Sequence, residues 1–254
     1  MLSSILLLSS LLAFSQAISP PPIDPCKPYC ADVYIISCRA TLEVTGEGQI
    51  GMVAEYVQHA SMQTVERVAL EYPAVLEGYA KSAAIGAKAL KDLVAKQAGE
   101  CPEQKIVLLG YSQGAQVVGD AISGGGFGQM GDVLIPGMSA ELIERLTAVV
   151  LMGDPRHMAS EEYQHGTAGF AAGNGVFPRS PEQMAILNGI KDKISSYCNA
   201  KDALCAVKGR GNLGGHYDTI SLFSHQARDW VLEMIERPQR AGGDPGAVSE
   251  DEPI

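Results

Sequence analysis

The stretch Lys105-Ile-Val-Leu-Leu-Gly110-Tyr-Ser112-Gln-Gly114-Ala-Gln-Val-Val-Gly-Asp-Ala-Ile122 decides the fold class. It opens with a short apolar run containing β-branched residues, the signature of a buried strand. From Gln113 to Ile122 the pattern becomes helical. Between the two halves, Gly110-Tyr-Ser112-Gln-Gly114 fits G-x-S-x-G. A serine at so sharp a strand-to-helix turn needs small neighbours, because its backbone is strained and adjacent turns crowd together. Such a turn lifts the hydroxyl above the sheet, at a helix N-terminus whose dipole favours a developing anion. A glycine-rich turn with an ordinary serine is the bland alternative. The flanking strand and helix weigh against it.

Two further apolar runs read as strands, Ala31 to Cys38 and Leu146 to Met152. Helical spacing recurs from Tyr79 to Gln97, where Ala83, Ala84, Ala87, Leu90 and Val94 share a face. Ser139 to Arg145 is a shorter candidate. Phe223 to Glu236 is a closing helix through Phe223, Ala227, Trp230, Val231 and Met234. Strands alternating with helices of this length predict a parallel sheet covered on both faces.

A serine hydroxyl is a weak nucleophile unless a base takes its proton and a third group orients that base. Where a G-x-S-x-G turn carries the nucleophile, the acid and then the histidine follow it in the chain. Of the five histidines, His59 precedes Ser112, His157 and His165 fall in a polar loop, and His225 lies inside the last helix. His216, in Gly214-Gly215-His216-Tyr217, falls on a flexible loop just before that helix and is the expected base. Two acids compete. Asp154 follows the third apolar run, where active-site loops gather, but Gly-Asp-Pro is also a natural turn. Asp202 lies between Cys198 and Cys205, fourteen residues before His216. If those cysteines pair, closing the short loop removes chain entropy of about 2–3 kcal/mol and clamps the carboxylate. Asp202 is preferred.

The bulk properties are permissive. The 254 residues are 46 % hydrophobic and 19 % charged, enough for a sizeable core, and the net charge of -10 disfavours nucleic acid and anionic membranes as partners. Leu2 to Phe14 is an apolar run followed by Ser15-Gln16-Ala17. It is too short for a stable membrane anchor and predicts a cleaved signal peptide over residues 1–17, although no Lys or Arg precedes it. Secretion into an oxidising exterior makes bridges the natural use of six cysteines. Sequence alone leaves about fifteen complete pairings. Zinc lacks the paired cysteine doublets and partner histidines it needs, and no N-x-[ST] acceptor predicts N-glycosylation.

Beyond G-x-S-x-G, the chain carries Cys30-Ala-Asp-Val, Cys101-Pro, Gly153-Asp-Pro-Arg156, and Ser196-Tyr-Cys-Asn199 followed by Asp202, Cys205 and His216. Together these resemble the cutinase and acetylxylan esterase family of fungal secreted hydrolases, from Cys30 to the last helix. The resemblance implies a three-layer α/β/α hydrolase fold around a central, mostly parallel five-stranded sheet. It implies Ser112, Asp202 and His216 as the catalytic triad, and bridges Cys30–Cys101 and Cys198–Cys205. An Arg-x-Ser/Thr segment supplies an oxyanion-hole hydroxyl in that family. Here it is Arg39-Ala40-Thr41, which implies Thr41 and the backbone N–H of Gln113 as the two donors. A turn hydroxyl capping its own backbone is the alternative role for Thr41. Cys38 departs from the family, which usually has a small residue there. Elimination pairs it with Cys26, but a strand of this length holds its ends roughly 20 Å apart, so a free buried thiol is the other reading.

The expected organisation is a signal peptide (1–17), a proline-rich lead (18–29), a catalytic domain (30–237) and an acidic tail (238–254). The expected function is secreted ester hydrolysis without metal or organic cofactor. A monomer is expected, with an ester substrate from plant cell-wall polymers or short-chain esters. A catalytically silent secreted binding protein of the same fold is the rival. Three other features are read as structural. Gly126-Phe-Gly-Gln-Met-Gly131 fits a dinucleotide fingerprint but follows a helix rather than a strand. His157 and His165 lack a further ligand for a metal, and Tyr72-Pro73 and Trp230 are expected to pack.

Overall fold

The computed structural model describes residues 29–126 and 134–237. The segment expected to be a signal peptide, all of the expected lead but Tyr29, the C-terminal residues 238–254, Cys26 and most of the fingerprint-like glycine segment lie outside the described residues. Five strands form one sheet in the order β2-β1-β3-β4-β5, every pairing parallel. They are β1 Val33–Cys38, β2 Val65–Ala69, β3 Lys105–Tyr111, β4 Leu146–Met152 and β5 Ile194–Tyr197. The helices are α1 Gly51–Ala60, α2 Tyr79–Glu100, α3 Gln113–Ser123, α4 Ala140–Glu144, α5 Pro181–Gly189 and α6 Leu213–Glu236.

The two-residue period of a strand sorts the core into layers. Along β1, Tyr34, Ile36 and Cys38 enter one cluster with Ala87, Leu90, Val94, Val117 and Val118 of α2 and α3. Val33 and Ile35 enter the other, with Val53 and Val57 of α1 and Ile220, Ala227 and Val231 of α6. Both faces of the central strands are therefore dry, which is why β1, β3 and β4 read as continuous apolar runs. The outer strands lack that signal. In β2 (Val-Glu-Arg-Val-Ala) charged residues fill an edge position, and β5 has only four residues, two of them serines.

The strand order reverses direction between β1 and β3. In open parallel sheets the crevice for ligands opens outside the C-terminal ends of the strands at such a switch point. Arg39-Ala40-Thr41 leaves β1 there, and Ser112 leaves β3 beside it. Gly114 lets the two approach: a Cβ on it would lie 1.9 Å from the Cys38 carbonyl oxygen and 2.7 Å from that of Arg39. Gly110 is similarly confined, with Gly114 O 2.5 Å from its would-be Cβ. Gly114→Ala is expected to lose about 1–3 kcal/mol through overpacking, a Tm drop of roughly 2–10 °C. An unchanged melt in scanning calorimetry would show that the contact gives way freely.

Disulfides join Cys30 to Cys101 and Cys198 to Cys205. Cys38 is a free thiol with no exposed surface, and burial pushes its ionisation well above the ordinary cysteine range. Only the thiolate reacts. Native protein is therefore expected to leave Cys38 unmodified by iodoacetamide, with labelling at that residue, followed by mass spectrometry, appearing only after unfolding.

Candidate active site

Ser112 has φ 55° and ψ -121°, and its N–H donates to Met152 O at 2.9 Å. A non-glycine residue at positive φ costs on the order of 1–3 kcal/mol and persists only where its surroundings hold it. Among the described residues only Leu42, Ala74 and Arg210 share this trait. The serine sits just before the first turn of α3, where the opening N–H groups have no partner within the helix.

His216 lies in the first turn of α6, not on a flexible loop before the helix. The helix begins ten residues earlier than the apolar spacing from Phe223 predicts. Asn212 caps it, its side chain accepting from Gly215 N–H at 3.2 Å. Gly215, next to His216, serves close packing rather than flexibility, since a Cβ on it would stand 2.0 Å from Lys201 O. That approach brings the first turn against the 198–205 loop. Asn199 Nδ2 donates to Gly215 O at 2.9 Å, and Tyr111 Oη donates to His216 O at 3.0 Å.

The imidazole is thereby aimed at Asp202. Nδ1 of His216 stands 2.7 Å from Oδ2 of Asp202, with both side chains almost wholly buried. An ionised carboxylate only accepts, so Nδ1 carries the proton and Nε2 is left as the basic nitrogen. The other carboxylate oxygen accepts from Leu204 N–H at 2.7 Å and Cys205 N–H at 3.2 Å. Asp202 is thus fixed from both sides within its disulfide loop.

Asp154 has other partners. One oxygen accepts from Arg156 N–H at 2.9 Å and the other from Arg179. Arg156 in turn reaches Asp120 and Gln183, each at 2.9 Å. This buried network holds the turn that starts at Gly153, and Gly153 faces the histidine: a Cβ there would lie 3.0 Å from His216 Cε1. His157 lies in the loop after β4, as expected, but buried, with Nδ1 2.9 Å from Glu161 Oε2, and His225 stacks on Tyr56 at the surface.

Ser112 and His216 are brought to the same end of the sheet through Tyr111, whose ring stacks on the imidazole with centroids 5.2 Å apart. No hydrogen bond joins Ser112 Oγ to His216 among the described residues. Catalytic pairs are often loose in resting enzymes and tighten around substrate. The hydroxyl of Thr41 and the N–H of Gln113 also have no hydrogen-bond partner among the described residues, so Thr41 does not cap its own turn. The Gln113 side chain is engaged elsewhere, accepting from Ser82 Oγ at 2.9 Å and donating to Val75 O at 3.1 Å. Reading the sequence for catalytic roles passed over Tyr111, Asn199 and Asn212. Tyr111 occupies the first variable position of G-x-S-x-G, and Asn199 ends Ser-Tyr-Cys-Asn, so both stood inside motifs already singled out.

The family model described as Cutinase matches residues 29–235. The chain belongs to the cutinase family. Acetylxylan esterase 2 of Talaromyces purpureogenus is 29 % identical over 89 % of this chain and 97 % of its own length. Cutinase CUT1 of Coprinopsis cinerea is 31 % identical over 82 % of this chain and 85 % of the relative. Among solved structures, the catalytic core of acetyl xylan esterase from Trichoderma reesei superposes with a TM-score of 0.71 at 27 % identity, covering 81 % of this chain and all of that one. This cutinase-family protein is a carboxylic ester hydrolase of the α/β hydrolase fold. Within it, the Cys198–Cys205 bridge closes the loop that carries Asp202. Replacing both cysteines with serine is expected to cost about 2–3 kcal/mol by loop closure, measured by chemical denaturation. No loss of stability would mean that the hydrogen bonds to Asp202 hold the loop unaided.

Proposed function

We propose that Ser112, His216 and Asp202 hydrolyse carboxylic esters through an acyl-enzyme. Ser112 Oγ attacks the ester carbonyl as His216 Nε2 takes its proton. Thr41 Oγ1 and Gln113 N–H donate to the oxygen on which negative charge gathers. His216 then protonates the departing alcohol, and water repeats the sequence to release the acid. The Asp202–His216 pair at 2.7 Å carries this reading. A binding protein gains nothing from a buried carboxylate oriented on a histidine beside a strained serine. A fluorophosphonate probe is expected to label Ser112 stoichiometrically, as followed by peptide mass spectrometry. Absence of labelling would favour the silent binding protein.

For substrate, the Talaromyces purpureogenus relative named acetylxylan esterase 2, matched over 97 % of its length, supports acetyl groups on xylan or other short acyl esters. A second reading, cutin-type polyester, has a separate observation behind it. Leu42, Val44 and Leu76, on the loops after β1 and β2, and Leu213 and Tyr217, flanking His216, are all at least half exposed. Acetate release from acetylated xylan, set against p-nitrophenyl esters of increasing chain length, separates the two. Extracellular action is part of the proposal. The apolar run at residues 2–14 and two disulfides support it, since such bridges persist in oxidising surroundings.

A further inference from the structure

Arg39 is the first residue of the segment that carries Thr41, and only 4 % of its surface is exposed. Among the described residues it has no carboxylate ion partner. Its guanidinium is spent on three backbone carbonyls instead. Nε donates to Glu43 O at 3.2 Å, Nη1 to Leu70 O at 3.2 Å and Nη2 to Tyr72 O at 2.6 Å. The Tyr72 ring lies 5.0 Å from the guanidinium carbon, and Tyr72 Oη donates back to Arg39 O at 2.5 Å. A buried charge without a counter-ion is an expensive way to hold a loop. It is tolerated where the geometry it imposes matters.

That geometry is the path of residues 39–43. Arg39 ties the end of this segment, through Glu43 O, to the residues that follow β2. The Glu43 carboxylate does not pair with Arg39; it accepts from Ala40 N–H at 2.6 Å and Gln49 N–H at 3.0 Å. Leu42 N–H donates to Ala74 O at 2.7 Å, and both of these residues sit at positive φ. Residues 40, 42 and 43 are each tied down, and Thr41 between them keeps its hydroxyl uncommitted. At the other side, Gly114 lets the start of α3 come close to Cys38 O and Arg39 O.

We propose that Arg39 is a positioning residue that holds Thr41 Oγ1 in place, before substrate arrives, as the side-chain donor of the oxyanion hole. This rests on the donor role proposed for Thr41. Arg39 touches neither substrate nor the reacting atoms. It acts because hydrogen bonds aimed in advance at a developing charge need no reorganisation during the step, and small misplacements of such groups are costly.

The test is a double-mutant cycle on p-nitrophenyl butyrate using Arg39→Lys, Thr41→Val and the pair. Lysine keeps the charge but cannot serve three carbonyls in a planar fork. Thr41→Val is expected to lower kcat about 100-fold, the loss of one oxyanion donor. Arg39→Lys alone is expected to lower kcat roughly 10- to 100-fold with KM within about twofold. Once Thr41 has lost its hydroxyl, misplacing it should matter little, so the double variant should fall within about threefold of Thr41→Val. A merely structural role would give additive losses instead, and that result removes the proposal while leaving Thr41 as donor. Wild-type kcat in Thr41→Val removes the donor assignment and the positioning role together, and wild-type kcat in Arg39→Lys removes the positioning role alone. If Arg39→Lys does not give a cooperative melt, Tyr72→Phe, which deletes only the hydroxyl that donates to Arg39 O, enters the same cycle. The same coupling with Thr41 is expected, and additivity is again the result that overturns the role.

Discussion

With Ser112 replaced by alanine, hydrolysis of p-nitrophenyl butyrate is expected to fall by about six orders of magnitude in kcat, the scale seen when a serine hydrolase loses its nucleophile. The other groups cannot compensate. In the proposed mechanism the Thr41 hydroxyl and Gln113 N–H act on an oxyanion only after something has attacked the carbonyl. The variant should fold as well as wild type, since alanine is no larger than serine and Ser112 Oγ has no hydrogen-bond partner to lose among the described residues. Stopped assays at high enzyme concentration, with a matched melting curve, provide the measurement. A rate within tenfold of wild type would show that the ester is cleaved elsewhere on the molecule.

Asp202→Asn carries the second-largest expected effect, a fall of about 10⁴-fold in kcat. The amide occupies the carboxylate's volume, so the loss is chemical rather than steric. With an NH₂ group facing Nδ1, the imidazole keeps its proton on Nε2, the nitrogen that must accept from Ser112. The comparison that decides the acid is Asp154→Asn. That substitution removes a charge from the network with Arg179 and is expected to act on stability first, because a buried pair broken on one side costs about 3–5 kcal/mol. If Asp202→Asn stays active and Asp154→Asn does not, the roles have been assigned to the wrong carboxylates.

Much of this was legible in the chain because the central strands are dry on both faces. Val107, Leu108 and Leu109 alternate between two separate cores yet must all be apolar, so the run announces itself. Edge strand β2 and the short β5 could not be read this way. Ser195 and Ser196 are fully buried in a strand that looks polar on paper. Helix α5 has a start signal in Ser180-Pro181-Glu182-Gln183, a capping box with proline at its first position, but nine residues without a clear apolar stripe give little periodicity to read. The beginning of α6 was hidden for a different reason. Glycines before a histidine suggest a loop, and only the approach of Lys201 to Gly215 shows that one of them lets a helix start close by. Ser112 was readable because one local turn defines it. The role proposed for Arg39 was not, because two of its three carbonyl partners, Leu70 and Tyr72, lie more than thirty positions away.

The network behind Gly153 also shapes how the protein tolerates change. Asp120, Arg156, Asp154 and Arg179 bring two negative and two positive charges into a volume closed to water. Removing any one strands its partner, so single substitutions there should be purged from any randomised library, while exchanges of a whole acid–base pair for apolar residues could survive. The exposed side chains of Leu42, Val44 and Leu76, by contrast, point outward from loops at the same strand ends and take part in no such pairing. Directed evolution toward new esters should therefore accumulate its changes on that rim and leave the charged quartet as it stands.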